Sequence, residues 1–181
     1  MLVLYAGGSA SGKSAAAEAA AVKAAEEAES PLIYLATMEP GGREAAARIE
    51  KHRAARAEKG FETIERARAV HELMLPADAV VLLEDLGNLV GNELFSPEAA
   101  ALSEKDVLRM LDESLRSLEA KCGQLILVGA LLAEEPRYTD PDTERYLRIF
   151  SALQNALAAR AEAVYLAELG LLRCIKRKEE P

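Results

Sequence analysis

Leu2-Val3-Leu4-Tyr5-Ala6-Gly7-Gly8-Ser9-Ala10-Ser11-Gly12-Lys13-Ser14 is the stretch whose reading decides the fold of this chain. An apolar run meets two glycines, a Gly-Lys-Ser triplet closes the turn, and an alanine-rich stretch follows from Ala15 to Ala28. The pattern G-x-x-x-x-G-K-[ST] needs this order: a short strand, a glycine-rich loop and a helix. In that setting, the glycines let backbone N–H groups converge on phosphate oxygens, and the helix N-terminus adds partial positive charge. Gly7, Gly8, Ser9, Ala10, Ser11, Gly12, Lys13 and Ser14 are thus the expected phosphate contacts. Lys13 is placed to bridge the outer phosphates, and the Ser14 hydroxyl to hold Mg²⁺.

Outward from the loop, short apolar runs alternate with longer helical stretches. Leu2 to Ala6, Leu32 to Ala36, Phe61 to Glu65, Ala79 to Leu83 and Gln124 to Val128 read as strands. Lys13 to Glu29, Arg43 to Lys59, Ser103 to about Lys121, and Thr143 to about Ala161 behind an Asp142 cap read as helices. Ala163 to Ala167 and Leu171 to Ile175 suit a closing hairpin around Gly170. Strands that are apolar throughout and separated by helices imply a mostly parallel sheet covered on both faces. The expected fold is therefore α/β: a P-loop nucleotide-binding fold with a C-terminal β-hairpin, in one domain over 1–181. Ligands of such sheets lie at the carboxyl ends of the strands, here Gly7, Thr37, Glu84 and Gly129.

Composition narrows the classes. Half of the 181 residues are hydrophobic and the net charge is −8. An acidic chain with no basic stripe before Arg173 to Lys178 argues against nucleic acid as a main partner. Cys122 and Cys174 do not form a metal-type cluster and suit free thiols in a reducing compartment. No run approaches the ~20 apolar residues of a membrane span. Met1-Leu2-Val3 already reads as core strand, leaving no room for a signal peptide, so a cytoplasmic enzyme is expected.

Two further constellations carry chemistry. Glu84-Asp85 ends the run Val80-Val81-Leu82-Leu83, where a phosphate-binding loop finds the acid that orients Mg²⁺. Side chains alternate faces, so the two acids cannot both point at the metal. In Arg48-Ile49-Glu50-Lys51-His52-Arg53-Ala54-Ala55-Arg56, residues 48, 52 and 56 share one helix face. That puts an imidazole between two guanidiniums, which disfavour imidazolium and keep His52 nucleophilic. His71 has no comparable company and reads as a surface or helix-start residue.

The order of these pieces resembles the bifunctional adenosylcobinamide kinase / adenosylcobinamide-phosphate guanylyltransferase family of cobalamin biosynthesis. Gly7 to Ser14, Ala17-Glu18, Tyr34-Leu35-Ala36-Thr37, Arg48-Ile49 with His52, then Arg56, Phe61, Thr63 and Glu65 carry the likeness. Leu82-Leu83-Glu84, Gly91-Asn92-Glu93-Leu94-Phe95, Gln154-Asn155 with Leu157-Ala158, and Gly170-Leu171 complete it. The resemblance implies phosphorylation of the aminopropanol hydroxyl of adenosylcobinamide by ATP or GTP. It then implies transfer of GMP from GTP to that phosphate through a covalent guanylyl-histidine. His52 falls at the guanylylated position, with Lys13 as the other catalytic residue. Nucleotide contacts would fall on residues 7 to 14, Ala36, Thr37, Met38, Arg53, Ala54, Ala55, Arg56, Glu65 and Glu84, with Ser14 and Glu84 on the metal. A cytoplasmic homo-oligomer is also implied. Ala10 stands where the family carries Arg, and Gly129 to Pro136 departs from its pattern. A P-loop kinase for another small acceptor, or a nucleotide-binding protein without the transferase step, therefore stays open beside this reading.

Overall fold

The computed structural model describes residues 1–39, 54, 56–131 and 140–178. Among them the element order is β1 (Leu2–Gly7), α1 (Lys13–Ala28), β2 (Leu32–Ala36), β3 (Glu62–Glu65), β4 (Val80–Glu84), α2 (Leu86–Leu94), α3 (Glu104–Glu119), β5 (Gln124–Ala130), α4 (Pro141–Arg160), β6 (Ala163–Glu168) and β7 (Leu171–Arg177), with 3-10 turns at Val70–Glu72 and Pro97–Ala99. The strands form one sheet in the order β3-β2-β4-β5-β1-β6-β7. Every pair is parallel except β6 with β7, which closes as the expected antiparallel hairpin.

Period-two alternation sends each strand's side chains to two separate cores. Leu2 and Leu4, Val81 and Leu83, and Leu125 and Leu127 pack on one face under α2, α3 and α4. Val3 and Tyr5, Val80 and Leu82, and Ile126 and Val128 pack on the other against α1. On α1 the buried positions are Ala17, Ala21 and Ala25, one helix face of methyl groups. Such small side chains let the helix axis lie close to the sheet, which explains the alanine-rich composition by packing.

The structure differs from these expectations at two helices. Helix α2 was not anticipated; Gly87 and Gly91 lower its intrinsic helix propensity, and its buried Leu86, Leu89, Val90 and Leu94 hold it instead. Helix α4 begins at Pro141, two residues before the expected Thr143: Asp140 is the cap, accepting from the Thr143 N–H at 2.9 Å, and Pro141 takes the first helical position. Between α2 and α3 the chain makes the 3-10 turn Pro97–Ala99. The charged helix of Arg43 to Lys59 lies largely outside the described residues, as does most of the loop after Leu131.

Gly7 has a steric reason. A Cβ there would stand 2.6 Å from the Ala167 carbonyl oxygen and 2.4 Å from Ser11 Oγ. The carbonyl belongs to the paired strand β6 and cannot rotate away. Gly7→Ala is therefore expected to cost about 1–3 kcal/mol by overpacking, read as an earlier midpoint in urea unfolding. An unchanged midpoint would show that the strand end yields.

Candidate functional site

The chain leaves β1 at Gly7 and turns into α1 through Ala10 at φ 54° and Gly12 at φ 89°, both left-handed. Gly12 is the N-cap of α1 and brings no capping side chain. By contrast, α2, α3 and α4 start on Asp85, Ser103 and Asp140, each accepting an amide of its own first turn. The first turn of α1 thus keeps its amides for an outside acceptor, and its positive end opens on the loop. Lys13 Nζ folds back to donate to the Gly8 carbonyl at 3.1 Å. Ser11 Oγ is buried and makes no hydrogen bond among the described residues.

Strand phase settles which acid faces this loop. Val80 and Leu82 point into the core under α1, so Glu84 points the same way. Because α1 crosses the sheet over β5 and β4 on its way to β2, its first turn passes above the end of β4. There Ser14 Oγ donates to Glu84 Oε1 at 2.6 Å. The other carboxylate oxygen, Oε2, accepts from the Tyr34 hydroxyl at 2.5 Å. Asp85 has a different task, accepting the Asn88 N–H at 2.7 Å as the cap of α2.

Tyr34 lies mid-strand in β2, on the same face as Ala36, and is 2 % exposed. Burial first, and the adjacent Glu84 charge second, hold its hydroxyl well above the usual tyrosine range, so it stays a donor at any working pH. Its ring meets Phe61 edge-on at 5.5 Å. The Arg56 guanidinium lies over the ring, 3.6 Å from the centroid. One side chain therefore joins the Ser14–Glu84 pair to the segment that bears Arg56.

These residues line a cavity of about 370 Å³ at the carboxyl ends of β2 and β4, within the range of ligand clefts. Ser14, Ala36, Met38, Arg56, Glu65 and Glu84, all expected from the sequence, border it. Thr37 does not: it is fully buried, its Oγ1 donates to the Asp85 carbonyl at 2.8 Å, and it braces the turn from β4 into α2. Ala54 is exposed. His52, Arg53 and Ala55 lie outside the described residues. Sequence reasoning missed Glu18, Tyr34 and Asn88 as cavity residues. Tyr34 had a signal, its two-residue spacing from Ala36. Glu18 had its four-residue spacing from Ser14 on α1; its charge is paired with Lys59.

A family model described as cobinamide kinase / cobinamide phosphate guanyltransferase matches residues 3–175. The chain belongs to this family. It is 30% identical over 182 residues to the bifunctional adenosylcobalamin biosynthesis protein CobU of Escherichia coli K12, covering 94% of this chain and 97% of that one. Among solved structures, the KaiC-like protein PH0186 of Pyrococcus horikoshii OT3 aligns with a TM-score of 0.52 over 98% of this chain and 79% of its own, at 16% identity. That likeness shows the fold alone.

In this cobinamide kinase / guanyltransferase chain, the segment Gly91 to Phe95 explains itself residue by residue. Asn92 Nδ2 donates to the carbonyls of Thr37 at 2.7 Å and Ala67 at 3.2 Å, tying the ends of β2 and β3 to α2. Glu93 Oε1 accepts the Ala69 N–H at 2.7 Å. Leu94 is core and Phe95 is exposed. Gln154 Nε2 donates to the Ala130 carbonyl at 3.0 Å, holding the end of β5 beside Gly7, its neighbour in the sheet. Among the described residues, no helix is long and apolar enough to cross a membrane.

Proposed function

We propose that this chain phosphorylates adenosylcobinamide with a nucleoside triphosphate and then transfers GMP to the product, at the cavity between α1, β2 and β4. In the first reaction the aminopropanol hydroxyl attacks the γ-phosphorus. A new O–P bond forms, the bond to the β–γ bridging oxygen breaks, and a nucleoside diphosphate leaves as the hydroxyl gives up its proton. In the second, a ring nitrogen of His52 attacks the α-phosphorus of GTP and pyrophosphate leaves. The phosphorylated acceptor then attacks that phosphorus, the P–N bond breaks, and the histidine is restored.

The observation that carries this reading is the meeting of Ser14 and Glu84 in front of the uncapped start of α1. Phosphate oxygens take the amides at the uncapped start of α1, and Lys13 turns from the Gly8 carbonyl to the bridging oxygens. The Ser14 hydroxyl and Glu84 carboxylate are an oxygen pair of the kind Mg²⁺ takes, the rest of its shell coming from phosphate and water. When bound, Mg²⁺ neutralises charge gathering on the transferred and leaving phosphates. Arg56 is held by Tyr34 at the same cavity, and Glu65 and Met38 border the space left for the nucleoside. Incubation with magnesium and α-labelled GTP tests the transferase half: acid-labile, alkali-stable label on the chain supports it. GTP binding without such label would favour a plain kinase.

Tyr34→Phe keeps the ring, and with it the Arg56 stack, but takes one donor from Glu84. A hydrogen bond to a charged group is worth about 1.5–3 kcal/mol. Turnover at low magnesium is accordingly expected to fall about tenfold or more, with recovery as magnesium is raised. An unchanged magnesium titration would show that Ser14 alone fixes the carboxylate.

A further inference from the structure

Beside the nucleotide cavity runs a second cleft, of about 460 Å³, between α2 and α4. It shares Asp85 and Asn88 with the first, so the two spaces adjoin at the start of α2. Its floor is the backbone of α2 at Gly87 and Gly91, four residues apart and so on one helix face. One wall is Tyr146, whose hydroxyl donates to the Gly87 carbonyl at 3.3 Å and whose ring stacks at 5.8 Å on buried Phe150. The other is Phe95, fixed at the end of α2 by its N–H to the Gly91 carbonyl at 3.0 Å, with 58% of the residue exposed. The end of β5 at Ala130 closes the far side.

Among the described residues Phe95 is the one exposed aromatic, with Tyr146 and Tyr165 half-buried. Phe61, Phe150, Tyr5 and Tyr34 are buried. An aromatic ring held in solvent by a rigid helix end, over a floor without side chains, offers a flat apolar ligand a face to stack on.

We propose that this α2–α4 cleft is the acceptor subsite, and that it takes the edge of the corrin ring that bears the aminopropanol arm. The assignment rests on the function proposed above and names where its second substrate lies. A corrin is a flat, methyl-bearing conjugated ring fringed with amides. Phe95 and Tyr146 meet its faces and methyl groups, while Asn88 and Asp85 offer hydrogen-bonding groups to its amide fringe. Only an edge of so large a ring fits the cleft, and the border shared at Asp85 and Asn88 puts the arm on the side of the nucleotide's terminal phosphate.

Gly91→Ala is a selective probe. A Cβ at Gly91 meets nothing nearer than Tyr146 Cε2 at 3.9 Å, ordinary contact. Alanine also suits a helix interior better than glycine, so the fold tolerates it while the cleft floor is raised. Phe95→Ser is a second probe on an exposed side chain. In equilibrium dialysis followed by corrin absorbance, both variants should bind adenosylcobinamide about tenfold or more weakly than the native chain. The acceptor KM should rise alike, whereas acceptor-independent labelling by α-labelled GTP and triphosphate affinity should not change. Acceptor affinity within about twofold of native in both variants overturns the subsite, and so does a native chain that binds no adenosylcobinamide. A native chain that binds it but takes no guanylyl label leaves the subsite standing and sinks the transferase half of the function.

Discussion

Lys13→Ala is expected to abolish productive binding of nucleoside triphosphate while leaving the fold intact. Lys13 opens α1, where alanine is a better helix former than lysine, and its amine bonds to one loop carbonyl that water can serve instead. The variant should therefore unfold at the native midpoint. What it loses is the one cation of the phosphate loop. Removing a preorganised charge partner from a transferring phosphate costs about a hundred- to a thousandfold in turnover, and both half-reactions should fall together because both draw on the same loop. Calorimetry with magnesium and ATP or GTP reads the binding directly. Affinity equal to native would refute the loop as the triphosphate site. Lys13→Arg should rescue little, because a planar guanidinium is bulkier and differently directed than an ammonium point charge.

His52→Ala is expected to erase the covalent guanylyl label and the second half-reaction, while phosphorylation of the acceptor continues. The control is built into the composition, since the chain has two histidines. The other, His71, sits in the 3-10 turn Val70–Glu72 with Nδ1 3.2 Å from Ser114 Oγ, and borders a different cleft from the nucleotide cavity. His71→Ala should keep full label. Label that survives in His52→Ala and vanishes in His71→Ala would exchange the two roles. Label surviving in both would place the nucleophile on another residue type, and its acid and alkali stability would name the type.

The glycine-rich turn between β1 and α1 was legible because it is a local device. Its glycines, lysine and serine are contiguous, so Gly7 to Ser14 could be read without knowing any contact. The same holds for β2, whose bounds Leu32–Ala36 match the apolar run, and for the Ser103 cap of α3, whose hydroxyl accepts the Asp106 N–H at 3.2 Å. Asp140 was legible too. A proline favours the first helical position, which puts the cap just before Pro141, and the reading of Asp142 gave that signal too little weight. Helix α2 was harder: its glycines argue against a helix, and the burial that overrides them comes from α4 and β5, distant in sequence.

By itself, the sequence determined the glycine-rich loop, the alternation of strand and helix, and hence a mostly parallel sheet. It also set Glu84 and Asp85 side by side as rivals. Only the tertiary structure showed which of them turns toward Ser14, because that depends on which face of the sheet α1 covers. That depends in turn on strand order, which the summed burial of both cores fixes rather than any local preference. The same long-range packing brought Tyr34 between Glu84 and Arg56, turned Thr37 away from the cavity, and left Phe95 standing in water at the mouth of a cleft that no local pattern announces.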